Sequence, residues 1–395
     1  MNVNKNELLK LVNIKDKKIF KTENKYYNHL IKGDELHVMR ILQLEGAGMV
    51  DVIYINPMYE IDNITENWLD FLKDRLLEAK KLLEESGVIL ISIDDNRYVD
   101  IRLLCNEIFN KNNYIDTLIY KTDKYKNKSD LLYHETEYVL CYAKDKEQCR
   151  INKKIKDSLS NYNIEDNYFH IRGKYRLVPL DKASLRYLES RDFTIEIDGK
   201  IFIPGGTIQE NSKHIWNWTC SKEQINYAIE DKYLVVAKDR HGIDRVYRKC
   251  YQYCDNQTSY IEKVKSYSNI IDNIKTNTEF AELNRIFGKN NKIFEYSTPV
   301  GLVKHLLKIF SKPGYLILDF FAGTGSTGHA VMDLNKEDGG KRLFILINNN
   351  KNDIFENITY PRLQMAIEGV PDTVQPLWSG YNENLIVEEL SSENN

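Results

Sequence analysis

Short apolar runs alternate with longer amphipathic stretches in the first third of the chain. Val50–Ile55 is an apolar, β-branched run that predicts a buried strand. Between residues 68 and 83, apolar side chains recur every three or four positions, which predicts an amphipathic helix capped by Gly87. Residues 88–93 predict a second buried strand, and a helix is expected from about residue 98 to 109. This order of elements is typical of a parallel sheet with crossover helices.

The central region, from about residue 120 to 270, has a different pattern. It is rich in Lys, Asn, Tyr and Trp, and its apolar runs are short, as at residues 193–197 and 234–237. The α/β pattern resumes near Phe294. We therefore predict a separate mixed domain that is inserted into a sheet domain.

After the central region, Pro299 begins a predicted helix with one apolar face. Strands are expected at residues 315–320 and 343–347, on either side of a second helix. The predicted divisions are an N-terminal extension (1–27), two halves of the sheet domain (28–120 and 276–378), the inserted domain (121–275) and an acidic, flexible tail (379–395).

Length and composition fit this organisation, because 395 residues, 42% of them hydrophobic, can form two domains. No apolar run approaches the ~18 residues of a membrane span, and the lysine-rich N-terminus lacks the apolar core of a secretory signal. We expect a cytoplasmic protein without membrane contact. The six cysteines form no CxxC motif, which favours reduced thiols. A zinc site formed by Cys220, Cys250 and Cys254 with His241 is the alternative.

A glycine-rich segment, residues 319–328, lies between a predicted strand and a predicted helix. Glycine permits positive φ and a close approach of the backbone to a ligand, and the helix N-terminus offers unpaired N–H groups. Such a segment is typical of a nucleotide-like cofactor site. A dinucleotide site is one alternative, but it would require an acid at the position of Asn348. A turn that only packs is another.

The first predicted strand ends in Asn56-Pro57-Met58-Tyr59. The side-chain carbonyl of Asn56 and the backbone carbonyl of Pro57 can accept two N–H bonds from an exocyclic amine and stabilise its developing positive charge. Tyr59 can stack on a base that has been flipped out of a duplex. This chemistry requires no metal. Taken alone, the same four residues also fit an ordinary turn at the end of a strand.

These motifs resemble those of DNA amino-methyltransferases. Asp319, Phe321, Gly323 and Gly325 fill the family pattern D-x-F-x-G-x-G, and residues 56–59 are similar to (D/N)PP(Y/F/W). Further segments resemble the modification subunits of type III restriction systems: residues 31–34, 75–109, 134–144, 296–307, 335–340 and 344–362. The order of the motifs is that of the β-class, adenine-specific enzymes.

The resemblance implies a Rossmann-like sheet that uses S-adenosylmethionine, with an inserted mixed α+β target-recognition domain. It implies methylation of adenine in duplex DNA, with Asn56, Pro57 and Tyr59 as catalytic residues and no metal. The implied cofactor-binding residues are Pro299, Asp319, Phe321, Gly323, Gly325, Ser326 and Asn348. The implied partners are double-stranded DNA, a second copy or a homologous subunit, and a restriction (helicase–nuclease) subunit.

The chain also departs from the family pattern. Met58 replaces the second proline, Asn56 stands where most relatives of this motif order have Asp, and Thr298 stands where Lys is usual. Asn348 replaces the acid that holds the ribose, and the stretch 60–67 is short. Two hypotheses follow: an active adenine methyltransferase, or an inactive methyltransferase-like scaffold that recognises DNA or dimerises.

Charge is unevenly distributed, although the net charge is only -3. Residues 121–180 hold a surplus of Lys and Arg, whereas residues 382–395 contain Glu but no Lys or Arg. Basic side chains contact phosphates, so the predicted DNA-binding residues are Lys121, Lys124, Lys126 and Lys128. The alternative is that these lysines form a solvated face, and that Trp216 and Trp218 belong to a core rather than to a base-stacking surface.

Overall fold

A computed structural model describes residues 9–14, 17–23, 26–57, 68–122, 135–155, 162–183, 188–207, 216–254, 264–272, 274, 298–369 and 380–392. The chain divides into two compact units. The sheet unit consists of residues 1–152 and 267–395, and the inserted unit consists of residues 153–266. An inserted domain was predicted, but with wider limits of 121 and 275.

The first part of the sheet unit contains β1 (Leu9–Asn13), β2 (Asn28–Lys32), α1 (Glu35–Glu45), β3 (Val50–Ile55), α2 (Trp68–Leu82), β4 (Leu83–Ile93), α3 (Asp95–Phe109), β5 (Tyr114–Lys121) and β6 (Thr136–Ala143). The predicted apolar face of α2 is buried. The prediction that Gly87 caps this helix was wrong, because β4 already begins at Leu83. A Cβ at Gly87 would lie 3.1 Å from the Asp51 carbonyl oxygen, so glycine permits the close approach of β3.

The inserted unit contains β7 (Lys154–Ile155), α4 (Phe169–Arg172), β8 (Tyr175–Pro179), β9 (Asp181–Ala183), β10 (Ile195–Ile197), β11 (Lys200–Ile203), β12 (Gly206–Thr207), β13 (Trp216–Trp218), α5 (Lys222–Glu230), β14 (Leu234–Lys238), β15 (Asp244–Tyr251) and β16 (Val264–Lys265). Its strands form small antiparallel sheets, among them β14-β15-β8 and β10-β11-β12. Phe202, Trp218 and Ile225 belong to its apolar core. This mixed, short-stranded architecture agrees with the sequence prediction.

The chain then returns to the sheet unit with β17 (Ile270–Ile271), α6 (Val300–Phe310), β18 (Leu316–Asp319), α7 (Ser326–Asp338), β19 (Leu343–Asn348), a π-helical turn (Phe355–Thr359), α8 (Tyr360–Glu368) and β20 (Leu385–Ser392). Helix α6 buries seven of its residues, which confirms the predicted apolar face. The short strand β18 leads directly into the glycine-rich segment. This segment therefore lies between a strand and a helix, as predicted.

Within the described residues, the sheet unit has one ten-stranded sheet in the order β1-β20-β2-β19-β18-β3-β4-β6-β5-β17. The run from β20 to β4 is parallel throughout. Buried residues of α1, α2 and α3 belong to one apolar cluster, and those of α6, α7 and α8 belong to a second. The predicted α/β fold class, a Rossmann-like sheet with a mixed domain inserted into it, is confirmed.

Two predictions for the ends of the sheet unit were wrong. Residues 385–392 were assigned to a flexible tail, but they form β20 between β1 and β2. Leu385 and Val387 are buried there, so a short apolar run outweighs the glutamates around it. The assumed N-terminal extension likewise supplies β1, which pairs with β20.

Candidate functional site

The carboxyl ends of β3 and β18 meet at one edge of the sheet. The two strands are parallel neighbours, with Val52 opposite Ile317 and Ile53 opposite Leu318. Asn56 follows β3, and Asp319 ends β18. A cleft of about 320 Å³ at this edge is lined by Tyr54, Asn56, Thr298, Asp319, Phe321, Ala322, Gly323, Thr324, Ser326 and Thr327. The structure therefore brings together the predicted catalytic and cofactor-binding segments, which are far apart in sequence.

Two glycines shape the loop that follows β18 at this cleft. Gly323 has φ 48° and Gly325 has φ 79°, both in the left-handed region that favours glycine. The Gly325 N–H donates to the Ala322 carbonyl oxygen at 2.7 Å, and Gly325 is the N-cap of α7. The loop therefore turns tightly and delivers the first turn of α7, with Ser326 and Thr327, to the cleft.

Asp319 holds the start of this loop. One carboxylate oxygen accepts from the Phe321 N–H at 2.9 Å, and the other accepts from the Thr327 hydroxyl at 2.5 Å. The side chain is 3% exposed, and this burial raises the pKa of the carboxyl to about 7, although the two hydrogen bonds lower it. Asp319 therefore links the start of the glycine-rich segment to Thr327, near the end of that segment.

Asn348, predicted to contact the cofactor, has its side chain engaged in holding the loop. Its Nδ2 donates to the Gly323 carbonyl oxygen at 3.0 Å and to the Thr359 hydroxyl at 2.9 Å. Its Oδ1 accepts from the Asn350 N–H at 2.9 Å. Asn348 is buried and does not line the cleft. Its contacts indicate a structural role beneath the loop, which the prediction did not include.

Arg362 and Thr359 also support the loop, and sequence reasoning missed both. The Arg362 guanidinium is fully buried and donates to the hydroxyls of Thr324 at 2.8 Å and Ser326 at 3.0 Å. The Thr359 hydroxyl donates to the Gly323 carbonyl oxygen at 2.6 Å. Arg362 lies within a segment that resembles the family, but its spacing from the loop gives no local signal.

Asn56 also lines the cleft and has a separate hydrogen-bond partner. Its Nδ2 donates to the Thr298 hydroxyl at 3.0 Å. The Tyr54 hydroxyl contacts the Ser92 hydroxyl at 2.9 Å and also interacts with the Thr298 side chain. Tyr54 is buried, and burial raises the pKa of its hydroxyl. Sequence reasoning had given no functional role to Tyr54 or Thr298, because their contact with Asn56 depends on the assembled sheet.

The other predicted site residues have different positions. Pro57 is buried next to Asn56, and Pro299 caps α6 beside Thr298. Neither lines the cleft. Met58, Tyr59 and the stretch 60–67 lie outside the described residues, as do Lys124, Lys126 and Lys128. Lys121 ends β5 and pairs with Glu135 at 3.7 Å, so it belongs to the sheet unit.

The two tryptophans of the inserted unit have separate roles. Trp218 is 2% exposed, and its Nε1 donates to the Phe193 carbonyl oxygen at 2.7 Å, which makes it a core residue. Trp216 is partly exposed and lies under the Arg245 guanidinium at 4.1 Å.

Among the described residues there is no group of three or more His, Cys, Asp or Glu that could hold a metal ion. None of the described helices is long and apolar enough to cross a membrane.

Comparison with known proteins shows which family this chain resembles. A family model described as DNA methylase matches residues 50–357, which include the Asn56 motif and the glycine-rich segment. The type III restriction-modification enzyme StyLTI Mod subunit of Salmonella typhimurium is 32% identical over 365 residues, which cover 82% of this chain and 53% of that protein. The chain therefore spans about half the length of this relative.

Two further similarities cover most of both chains. The type II methyltransferase M.KpnI of Klebsiella pneumoniae is 28% identical over 381 residues, which cover 86% of this chain and 88% of that protein. Among solved structures, the PvuII DNA methyltransferase (cytosine-N4-specific) aligns with a TM-score of 0.46 and 9% identity, covering 88% of each chain.

Proposed function

The chain belongs to the DNA methylase family, and from this membership we propose that it transfers a methyl group from S-adenosylmethionine to the exocyclic amine of adenine in duplex DNA. One observation carries the proposal. Asn56, from the first half of the sheet unit, and the glycine-rich segment, from the second half, line the same cleft. This arrangement supports the proposal, because the side chain that would accept a hydrogen bond from the amine and the loop that would hold the cofactor line one cleft.

The cleft fits the proposed cofactor. Its lining combines an aromatic face, backbone groups at a glycine and hydroxyl groups, which suit a nucleoside-like ligand. Phe321, Gly323, Thr324 and Ser326 line it and would hold the cofactor. S-adenosylmethionine supplies the electrophilic methyl group when bound. Beneath the loop, Asn348 and Arg362 keep the backbone in place.

Asn56 and Pro57 act on the amine. The exocyclic nitrogen is a weak nucleophile because its lone pair is conjugated with the ring. The side-chain carbonyl of Asn56 and the backbone carbonyl of Pro57 accept its two N–H bonds and stabilise the positive charge that develops on nitrogen. Because an amide is not basic, Asn56 orients and stabilises the amine but does not take up its proton, which passes to water after the nitrogen has gained the methyl group. Tyr59 supplies the stacking face for the flipped base.

The partners follow from the relatives. The name of the Salmonella typhimurium relative is that of a type III modification subunit, which supports a role in a restriction-modification system with a restriction subunit. Duplex DNA is the substrate, and the inserted unit is the target-recognition domain. Lys121, Lys124, Lys126 and Lys128 contact DNA phosphates. We further propose that the protein is cytoplasmic and acts as a dimer, with a second copy or a homologous subunit.

The alternative function is an inactive scaffold that still recognises DNA. Met58 and the short stretch 60–67 favour it. A direct test incubates the protein with tritiated S-adenosylmethionine and DNA that lacks methylated adenine. We expect label in DNA from the wild type. Asn56→Ala should lose transfer while its affinity for S-adenosylmethionine, measured by calorimetry, stays within about threefold. Cofactor and DNA binding without any transfer by the wild type would support the scaffold.

A further inference from the structure

We propose that Thr298 is a positioning residue that fixes the orientation of the Asn56 amide, so that its carbonyl oxygen rather than its NH2 group faces the substrate amine. The inference rests on the proposed function of the cleft. It assigns a role in the reaction to a side chain that belongs to neither of the two sequence motifs. It also predicts how the site distinguishes an amine from a carbonyl on the base.

The starting point is the symmetry of an asparagine side chain. Its oxygen and nitrogen occupy two equivalent branches of a planar group, and a half-turn about the Cβ–Cγ bond exchanges them. Only the oxygen can accept an N–H bond from an exocyclic amine. A free asparagine would therefore present the wrong group for part of the time, and its catalytic value depends on what binds the nitrogen.

In this structure Thr298 binds the nitrogen. Asn56 Nδ2 donates to Thr298 Oγ1 at 3.0 Å, and both side chains line the cleft. The other branch, Oδ1, has no donor among the residues that the structure describes, and is left for a ligand of the cleft. The hydrogen bond thus selects the one orientation that suits an amine substrate.

A hydroxyl can accept or donate, so Thr298 selects this orientation only if its own proton is engaged elsewhere. The Tyr54 hydroxyl contacts the Ser92 hydroxyl at 2.9 Å and also interacts with the Thr298 side chain. Tyr54 and Ser92 are both buried, so these partners are shielded from water. This arrangement lets the Thr298 proton point to Tyr54, which leaves a lone pair of Thr298 Oγ1 for Asn56.

The two side chains that meet at this contact are both neutral. The structure places Asn56 Nδ2 and Thr298 Oγ1 3.0 Å apart. A carboxylate presents an oxygen in either orientation and needs no such device. An asparagine does need one, and the Thr298 hydroxyl supplies it.

The test uses Thr298→Val, which keeps the size of the side chain but removes the hydroxyl, and Thr298→Ser, which retains it. We expect Thr298→Val to lower kcat about ten- to a hundredfold. Without the Thr298 hydroxyl, the Asn56 NH2 group can face the substrate amine, and these two donors form no hydrogen bond in the transition state. The affinity for S-adenosylmethionine and the Tm should change little. Thr298→Ser should recover most of the rate. In the Asn56→Ala background, Thr298→Val should have no further effect.

A binding measurement separates this inference from the proposed function. Deoxyadenosine offers an amine to the cleft, whereas deoxyinosine offers a carbonyl oxygen, and their binding to the protein can be compared by ligand-observed NMR without any methyl transfer. We expect the wild type and Thr298→Ser to prefer deoxyadenosine, and Thr298→Val to lose the preference. The inference would be overturned if the wild type showed no preference, or if Thr298→Val preferred deoxyadenosine as strongly as the wild type does. A Thr298-dependent preference in a protein that transfers no methyl group would sustain it and refute the proposed activity.

Discussion

Replacing Asn348 by aspartate distinguishes a residue that holds the loop from one that contacts the cofactor. The family pattern has an acid at this position, so a reading from sequence alone expects Asn348→Asp to improve cofactor binding. The structure predicts the opposite. A carboxylate oxygen would replace Nδ2 at 3.0 Å from the Gly323 carbonyl oxygen, and two acceptors would then face each other in a buried site.

The size of the effect follows from the contacts that are lost. Two hydrogen bonds disappear, to Gly323 and to Thr359, each worth about 1 kcal/mol. The buried, uncompensated charge adds to this loss, for a total of about 3–5 kcal/mol in the free energy of unfolding. Asn348→Ala, which removes the same donors without adding a charge, should lower it by about 2–3 kcal/mol. Asn352→Asp, the same change at an exposed position, should stay within about 0.5 kcal/mol.

Urea unfolding and calorimetry with S-adenosylmethionine measure the two consequences. We expect Asn348→Asp to unfold at a clearly lower urea concentration and to bind the cofactor more weakly. The Gly323 carbonyl would keep its hydrogen bond from Thr359, but a carboxylate would face it in place of the Asn348 donor. The Asn352→Asp control should match the wild type in both assays. A variant Asn348→Asp that is as stable as the wild type and binds the cofactor more tightly would show that Asn348 faces the ligand.

Three further predictions concern the loop, its buried acid and the basic cluster. Gly325→Leu should abolish binding of S-adenosylmethionine in calorimetry, because Gly325 has φ 79° and its Cβ would lie 3.4 Å from Thr359 Cγ2; undiminished binding would exclude the loop as the cofactor site. The pKa of Asp319 is about 7 when folded and 3.8 ordinarily, so the folded state holds this proton more tightly. The Tm should therefore fall as pH rises from about 4 to 7, and Asp319→Asn should flatten that decline. An equal decline in the wild type and in Asp319→Asn would contradict the argument that burial raises the pKa of Asp319. Replacing Lys121, Lys124, Lys126 and Lys128 by Gln should flatten the dependence of DNA affinity on salt, by about 0.9 log units per lost phosphate contact; an unchanged slope would leave the lysines as a solvated face.

Local periodicity was enough to predict most elements around the cleft. Strand β3 was predicted with its observed bounds, and β18, α7 and β19 follow the predicted order. Strand β20 was missed because its apolar run is short and flanked by glutamates, and because its pairing with β2 joins residues from opposite ends of the chain. Such pairings leave no periodic signal in the sequence.

The residues of the site also divide into those that local motifs predict and those that they do not. Asn56 and the glycines of the loop belong to local motifs, and the structure places Asn56, Gly323 and Ser326 in one cleft. Arg362 and Thr298 contact residues that are distant along the chain. Their roles depend on which helices and strands become neighbours, and for that reason only the folded chain reveals them.

Nucleoside analysis of methylated DNA tests the central claim most directly. DNA from a host without adenine methylation is incubated with the protein and S-adenosylmethionine, digested to nucleosides and analysed by mass spectrometry. We predict that N6-methyladenine accumulates with the wild type and is absent with Asn56→Ala. Finding only N4-methylcytosine would contradict the choice of base, and finding no methylated nucleoside from a protein that binds both ligands would contradict the activity itself.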